Sequence, residues 1–245
     1  MKLLNMEIKR MFRSRIIQLT IILLILIGAL AMVLYNIYYR SRNDSRYVLL
    51  SLYNSYTQFT YLVLSFVFVS TFCKDFQNGV YAWYNQLNYS FGKVCITKFI
   101  SLFLTVLPLI NIVFISANFI SGNRDFNYFM LSTTCVNLDV IYIIMLAFFI
   151  SVIFKKVVQS TLIMYGIYVI FNGINLMCYG LINPADSNSI SSYYLGKLII
   201  TQSHYSLDKI SLSDNVLCSL SIFLPIIWTA VLLFVVIFIK NRRKV

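Results

Sequence analysis

The sequence predicts an all-α integral membrane protein, with six transmembrane helices preceded by an amphipathic N-terminal helix lying in the membrane plane. Three observations predict it. Of 245 residues, 60 % are hydrophobic and only 11 % are charged, against about 25 % charged in a soluble domain. Largely uncharged stretches recur at the length a helix needs to cross hydrocarbon, roughly 20 residues. The basic residues cluster on one side of the topology those stretches imply.

The spans follow in order. Ile16 to Tyr39 is the first, and Val48 to Cys73 contains the second. Phe99 to Ser121 is the third. Phe126 to Phe154 is the fourth, interrupted only by Asp139. Val157 to Gly180 is the fifth, and Asn215 to Ile239 the sixth. Each closes its own backbone hydrogen bonds, as hydrocarbon demands. Ala29-Leu30-Ala31 has the form of a signal-peptide cleavage site, but the apolar run continues past it, which favours a retained span.

The chain divides into an interfacial helix over 1–15 and a single six-span domain over 16–245. In residues 1–15, Leu4, Ile8, Met11 and Phe12 share a face at helical spacing, while Lys2, Lys9, Arg10 and Arg13 mostly point elsewhere. A basic helix of that kind lies among lipid headgroups. An inner loop spans 73–98 and a long outer loop spans 181–214. Within the outer loop, Ile190, Tyr193, Tyr194, Leu198 and Ile199 suggest a short helix against the membrane surface, after a breaker cluster at Asn183 to Ser187.

The net charge of +12 could suggest nucleic acid, but its placement excludes that reading. Six outer basic residues face five outer acidic ones. Fourteen of the 20 basic residues fall in the inner segments, opposed only by Glu7 and Asp75. The excess is a topology signal that places both termini in the cytoplasm of a multi-pass cell-membrane protein.

Catalytic chemistry is not expected. No Gly-x-x-x-x-Gly-Lys-Ser/Thr loop is present to cradle phosphates. His204 is the sole histidine and Glu7 the sole glutamate. Asp139 stands alone within its span and reads as a hydrogen-bonded group facing the bundle interior. No two of the five cysteines make a Cys-x-x-Cys spacing. Cys135, Cys178 and Cys218 fall in outer halves of spans, where a disulfide stays open. No metal or other cofactor is expected in this chain.

Two patterns remain. The inner loop carries Asp75, then Asn78-Gly79, then an aromatic stretch with Tyr81, Trp83, Tyr84 and Leu87, then Lys93 and Lys98. Such a semi-apolar loop should dock on the membrane, on a partner, or on both. In the fifth span, Gly166, Gly173 and Gly180 recur every seven residues, returning to nearly one helix face. A face without side chains allows close approach of another helix, in this chain or in a partner. Asn172 and Asn175 lie in the outer half of the same span.

With these features the chain resembles the type-2 ABC transporter permeases, the six-span membrane subunits of bacterial exporters. The resemblance covers the overall plan and, more narrowly, the 25-residue inner loop. There an acidic residue, an Asn-Gly pair, a coupling helix of about Tyr81 to Asn88 and a basic residue follow in the family's order. The family often has proline after the coupling helix, and this chain has Asn88.

The resemblance implies a cytoplasmic ABC ATPase on a separate chain, which binds the ATP and Mg. It implies coupling to that ATPase through Asp75, Gly79, Tyr81, Trp83, Tyr84 and Leu87. It also implies a second permease half, identical or related, meeting this one at Gly166, Gly173 and Gly180. Asn172 and Asn175 would then border the substrate path. The weakly charged spans suit an amphipathic peptide, a lipid-like molecule or a drug, as in antimicrobial-peptide export or resistance. The rival expectation is a non-transporting polytopic membrane module, a sensor or assembly subunit.

Overall fold

A computed structural model describes residues 2–38, 45–177, 187–200 and 213–242. Every regular element among them is helical: α1 (Lys2–Arg13), α2 (Arg15–Tyr38), α3 (Arg46–Phe59), α4 (Ser65–Gln77), α5 (Val80–Gln86), α6 (Phe91–Ser121), α7 (Phe126–Phe154), α8 (Val157–Met177), α9 (Ser187–Ile200) and α10 (Asp214–Arg242).

Among the described residues, four helices are long and apolar enough to cross a membrane: Arg46–Gln77, Phe91–Ser121, Phe126–Phe154 and Asn215–Phe238. Leu3–Arg13 and Ile17–Val33 meet at 70° and together make a fifth candidate, and Val157–Gly173 is a shorter apolar helix. The chain is therefore a multi-pass membrane protein with four to five candidate spans among the described residues by length and composition, against the six expected.

α7 is the central element. Its buried side carries Val136, Val140, Ile143, Ile144, Ala147 and Phe148, and α3, α4, α6, α8, α9 and α10 all pack on it. Hydrocarbon supplies no hydrophobic drive between helices, so close packing and polar contacts must hold them together. Asp139 is fully buried and accepts a hydrogen bond from Tyr53, as the interior-facing reading requires. Asn137 donates to Asn111 on α6 at 2.8 Å.

The Arg46–Gln77 span is continuous but changes winding. A π-helical turn over Thr60–Leu64 joins α3 to α4. The hydroxyls of Thr57, Thr60 and Ser65 bond to backbone carbonyls three or four residues back, competing with the regular ladder where it loosens. The turn holds Tyr61 in the interior, 5.6 Å between ring centroids from Tyr168 on α8.

A close helix approach occurs at a glycine the sequence did not single out. A Cβ on Gly28 would lie 2.6 Å from Val113 Cγ1 and 2.8 Å from the Tyr56 hydroxyl. That hydroxyl donates to the Leu24 carbonyl at 2.9 Å, so the bare backbone of α2 lets α3 bond to it directly. Gly28→Ala should displace both neighbours, costing about 1–3 kcal/mol. Thermal unfolding in detergent should show a lowered midpoint for Gly28→Ala and none for Gly166→Ala, where nothing lies within 4 Å of an added Cβ. Equal midpoints would refute the role given to Gly28.

α9 is the helix expected in the long outer loop, and it packs more deeply than a surface helix. Ile190, Ser191, Tyr194, Leu195 and Ile199 are buried against α3, α7 and α10. Ser192 Oγ and Asn54 Oδ1 are 2.7 Å apart, and Tyr128 donates to the Leu195 carbonyl at 3.2 Å. At the same end of the bundle, Asp125 caps α7 by accepting from the Tyr128 N–H and pairs with Arg46 at 3.8 Å.

Candidate functional site

The candidate site lies at the opposite, basic end of the bundle, where α1, α4, α5 and the start of α6 converge. Most of the expected inner loop is helix. α4 runs to Gln77, α6 begins at Phe91, and α5 occupies Val80–Gln86. Gly79 turns the chain between α4 and α5 with φ +65°, a conformation that favours glycine. Asn88, where the resembled family often has proline, is also left-handed at φ 60°, which a proline ring could not adopt. Ser90 caps α6 by accepting from the Lys93 N–H at 3.4 Å.

Asp75 organises the convergence. Its carboxylate receives both arms of Arg10 from α1, Nη1 to Oδ1 at 3.0 Å and Nη2 to Oδ2 at 2.8 Å, the bidentate fork that suits a guanidinium. It also receives Lys98 Nζ from α6. Lys98 is 0 % exposed, so its ammonium depends on this partner.

Glu7, buried on α1, accepts a hydrogen bond from the Tyr84 hydroxyl of α5. Its second oxygen lies 3.0 Å from Arg10 Nη2 without hydrogen-bond geometry, so that contact is an ion pair only. The four charged groups cancel, and together they tie α1, α4, α5 and α6 into one unit.

The aromatic residues divide by role. Tyr84 is buried with Leu3 and Val94 in a small apolar cluster of its own. Burial, reinforced by the Glu7 hydrogen bond, raises its phenol above the ordinary value, so it stays a proton donor. Tyr81 stacks on Phe76 with centroids 4.3 Å apart and has Lys98 Nζ 4.5 Å from its ring centre, a cation–π contact. Trp83 and Leu87 face outward, each 48 % exposed. Of the apolar and aromatic side chains expected at the coupling helix, Tyr81 and Tyr84 pack α5 against its neighbours, and Trp83 and Leu87 are exposed.

Against the protein, α1 turns a face that includes a carboxylate. Leu3, Glu7 and Met11 face the protein, Leu4 and Ile8 are half-buried beside them, and Phe12 is exposed. Glu7 points inward to the Tyr84 hydroxyl and the Arg10 charge, which hydrophobic periodicity alone does not reveal.

The glycines of α8 lie elsewhere. Nothing in the described chain comes within 4 Å of a Cβ built on Gly166 or Gly173, and Leu162, Val169 and Ile170 around them are exposed. Gly166 and Gly173 thus meet no other helix among the described residues. Asn172 turns its amide back to the Tyr168 carbonyl at 2.9 Å. Gly180 and the side chain of Asn175 lie outside the described residues, as does Cys178. Cys135 and Cys218 are free thiols.

No family model, curated protein or solved structure matches this chain.

Proposed function

We propose that this chain is the permease half of an ATP-driven exporter, resident in a cell membrane with both termini in the cytoplasm. In this reading α2, α3 with α4, α6, α7, α8 and α10 are six spans. α1 lies in the membrane plane and α5 is the coupling helix. A separate ABC ATPase binds ATP and Mg, and the cargo is an amphipathic peptide, a lipid-like molecule or a drug, in secretion or resistance.

The observation that carries the reading is α5. It is a two-turn helix fixed to three other helices through Tyr84 and the Asp75 cluster, with Trp83 and Leu87 pointing outward. A rigid lever with an apolar tip can receive the motion of an ATPase as a rigid-body displacement. Aromatic and aliphatic tips of this kind serve as interface anchors. The rival reading, a membrane module without transport, gives no use for so firmly held a tip.

The open glycine face of α8 supports a junction with a second permease half. Gly173→Leu should reduce pairing of the halves, whereas the neighbouring Ile174→Leu should leave it intact. Gly173→Cys in a cysteine-free background should cross-link to the partner half under mild oxidation. Pairing unaffected by leucine, together with no cross-link, would remove α8 from the junction.

A further inference from the structure

At the elbow where α1 turns into α2, a cavity of ≈ 220 Å³ opens against the end of α4. Its walls differ in chemistry. Met11 and Ile17 supply apolar wall, Ser14 and Asn78 neutral polar groups, and Lys74 positive charge, while Arg10, also in the wall, is committed to Asp75 and Glu7. We propose that this cavity binds the headgroup of an anionic phospholipid, with the phosphate at Lys74 and Ser14 and the glycerol end against Met11 and Ile17.

The charge balance favours an anion. The one acidic wall residue, Asp75, already has its carboxylate filled by Arg10 and Lys98. Lys74 is exposed and has no acidic partner among the described residues. Arg13 and Arg15 are exposed at the same elbow and add to the field.

Size and position favour a lipid. The cavity is below the roughly 300–1,000 Å³ that encloses a drug-sized molecule, so it suits a headgroup whose acyl chains remain outside. It lies where an amphipathic basic helix meets a hydrophobic one; with α1 in the membrane plane this elbow sits among headgroups, and basic groups near such a surface attract anionic lipid. The inference needs the chain to be in a membrane, but it does not depend on an ATPase or on transport.

The test is native mass spectrometry of the full chain in detergent with dioleoyl phosphatidylglycerol, dioleoyl phosphatidylcholine or sodium phosphate. One phosphatidylglycerol should be retained in preference to phosphatidylcholine. Lys74→Ala should weaken it about fivefold, the effect of one basic group near a lipid surface. Asn78→Lys, which adds a cation at the mouth, should tighten it. Lys93→Ala, on α6 and outside the cavity, should change it clearly less.

Three outcomes would overturn the proposal: equal retention of phosphatidylcholine, equal effects of Lys74→Ala and Lys93→Ala, or displacement of the lipid by phosphate alone. Failure here would leave the exporter reading standing, and loss of the exporter reading would leave this site standing.

Discussion

Asp75→Asn is expected to be the most damaging single substitution at the basic end of the molecule. Lys98 is fully buried, and its ammonium would face a neutral amide in place of a carboxylate. Removing one partner of a buried ion pair costs about 3–5 kcal/mol, mostly through the charge left behind. Arg10 would lose its bidentate acceptor and keep only Glu7.

The damage should be local as well as global. α1 should gain hydrogen exchange, because Asp75 joins it to α4 and α6, and α5 should follow, because Tyr84 bonds to Glu7 on α1. Lys98→Met added to Asp75→Asn should recover much of the loss, since no buried charge then lacks a partner. A midpoint of unfolding for Asp75→Asn equal to the parent's would mean that the cluster does not hold the end of the bundle together.

Joint replacement of Trp83 and Leu87 by alanine should act in the opposite way. Both side chains are half-exposed, so the isolated chain should unfold at the parent's temperature. Binding of the ATPase should weaken, by about 1–3 kcal/mol for the tryptophan alone if it is an interface anchor, or roughly 5- to 150-fold. Tyr84→Ala provides the contrast. It removes the Glu7 hydrogen bond and the Leu3–Val94 packing, so it should lower the unfolding midpoint even without a partner present. If Trp83 and Leu87 prove as important to stability as Tyr84, α5 is a packing element and not a lever.

Much of the fold was legible because hydrocarbon imposes a coarse rule that composition obeys. The run of uncharged residues predicts the third span over Phe99 to Ser121, and the helix runs from Phe91 to Ser121. Its first two turns contain Lys93 and Lys98, which mask the helix from a reading that looks for uncharged runs. The buried state of Lys98 depends on Asp75, 23 residues earlier, and no local pattern records that pairing.

The residues show only a semi-apolar inner loop; the helix there, about Tyr81 to Asn88, comes from the family resemblance, and α5 occupies Val80–Gln86, with the inward aromatics not legible from the sequence. Tyr84 is selected by Glu7 on α1, a contact 77 residues apart in sequence. The glycines show the same division. Gly166 and Gly173 form a visible seven-residue pattern, yet they meet nothing in the described chain, while the isolated Gly28 is where side chains of α3 and α6 close onto α2. Its need for a bare backbone comes from Tyr56 and Val113, which local spacing cannot show.

The most direct measurement is to purify the tagged chain from the membranes of its own host under mild conditions and identify every co-purifying subunit by mass spectrometry. The account predicts an ATPase bearing a phosphate-binding loop in stoichiometric amount, lost when Trp83 and Leu87 are both alanine and retained when Lys93 is alanine. A chain that purifies without any such ATPase, or one whose ATPase stays at full yield after the Trp83 and Leu87 substitutions, would contradict it.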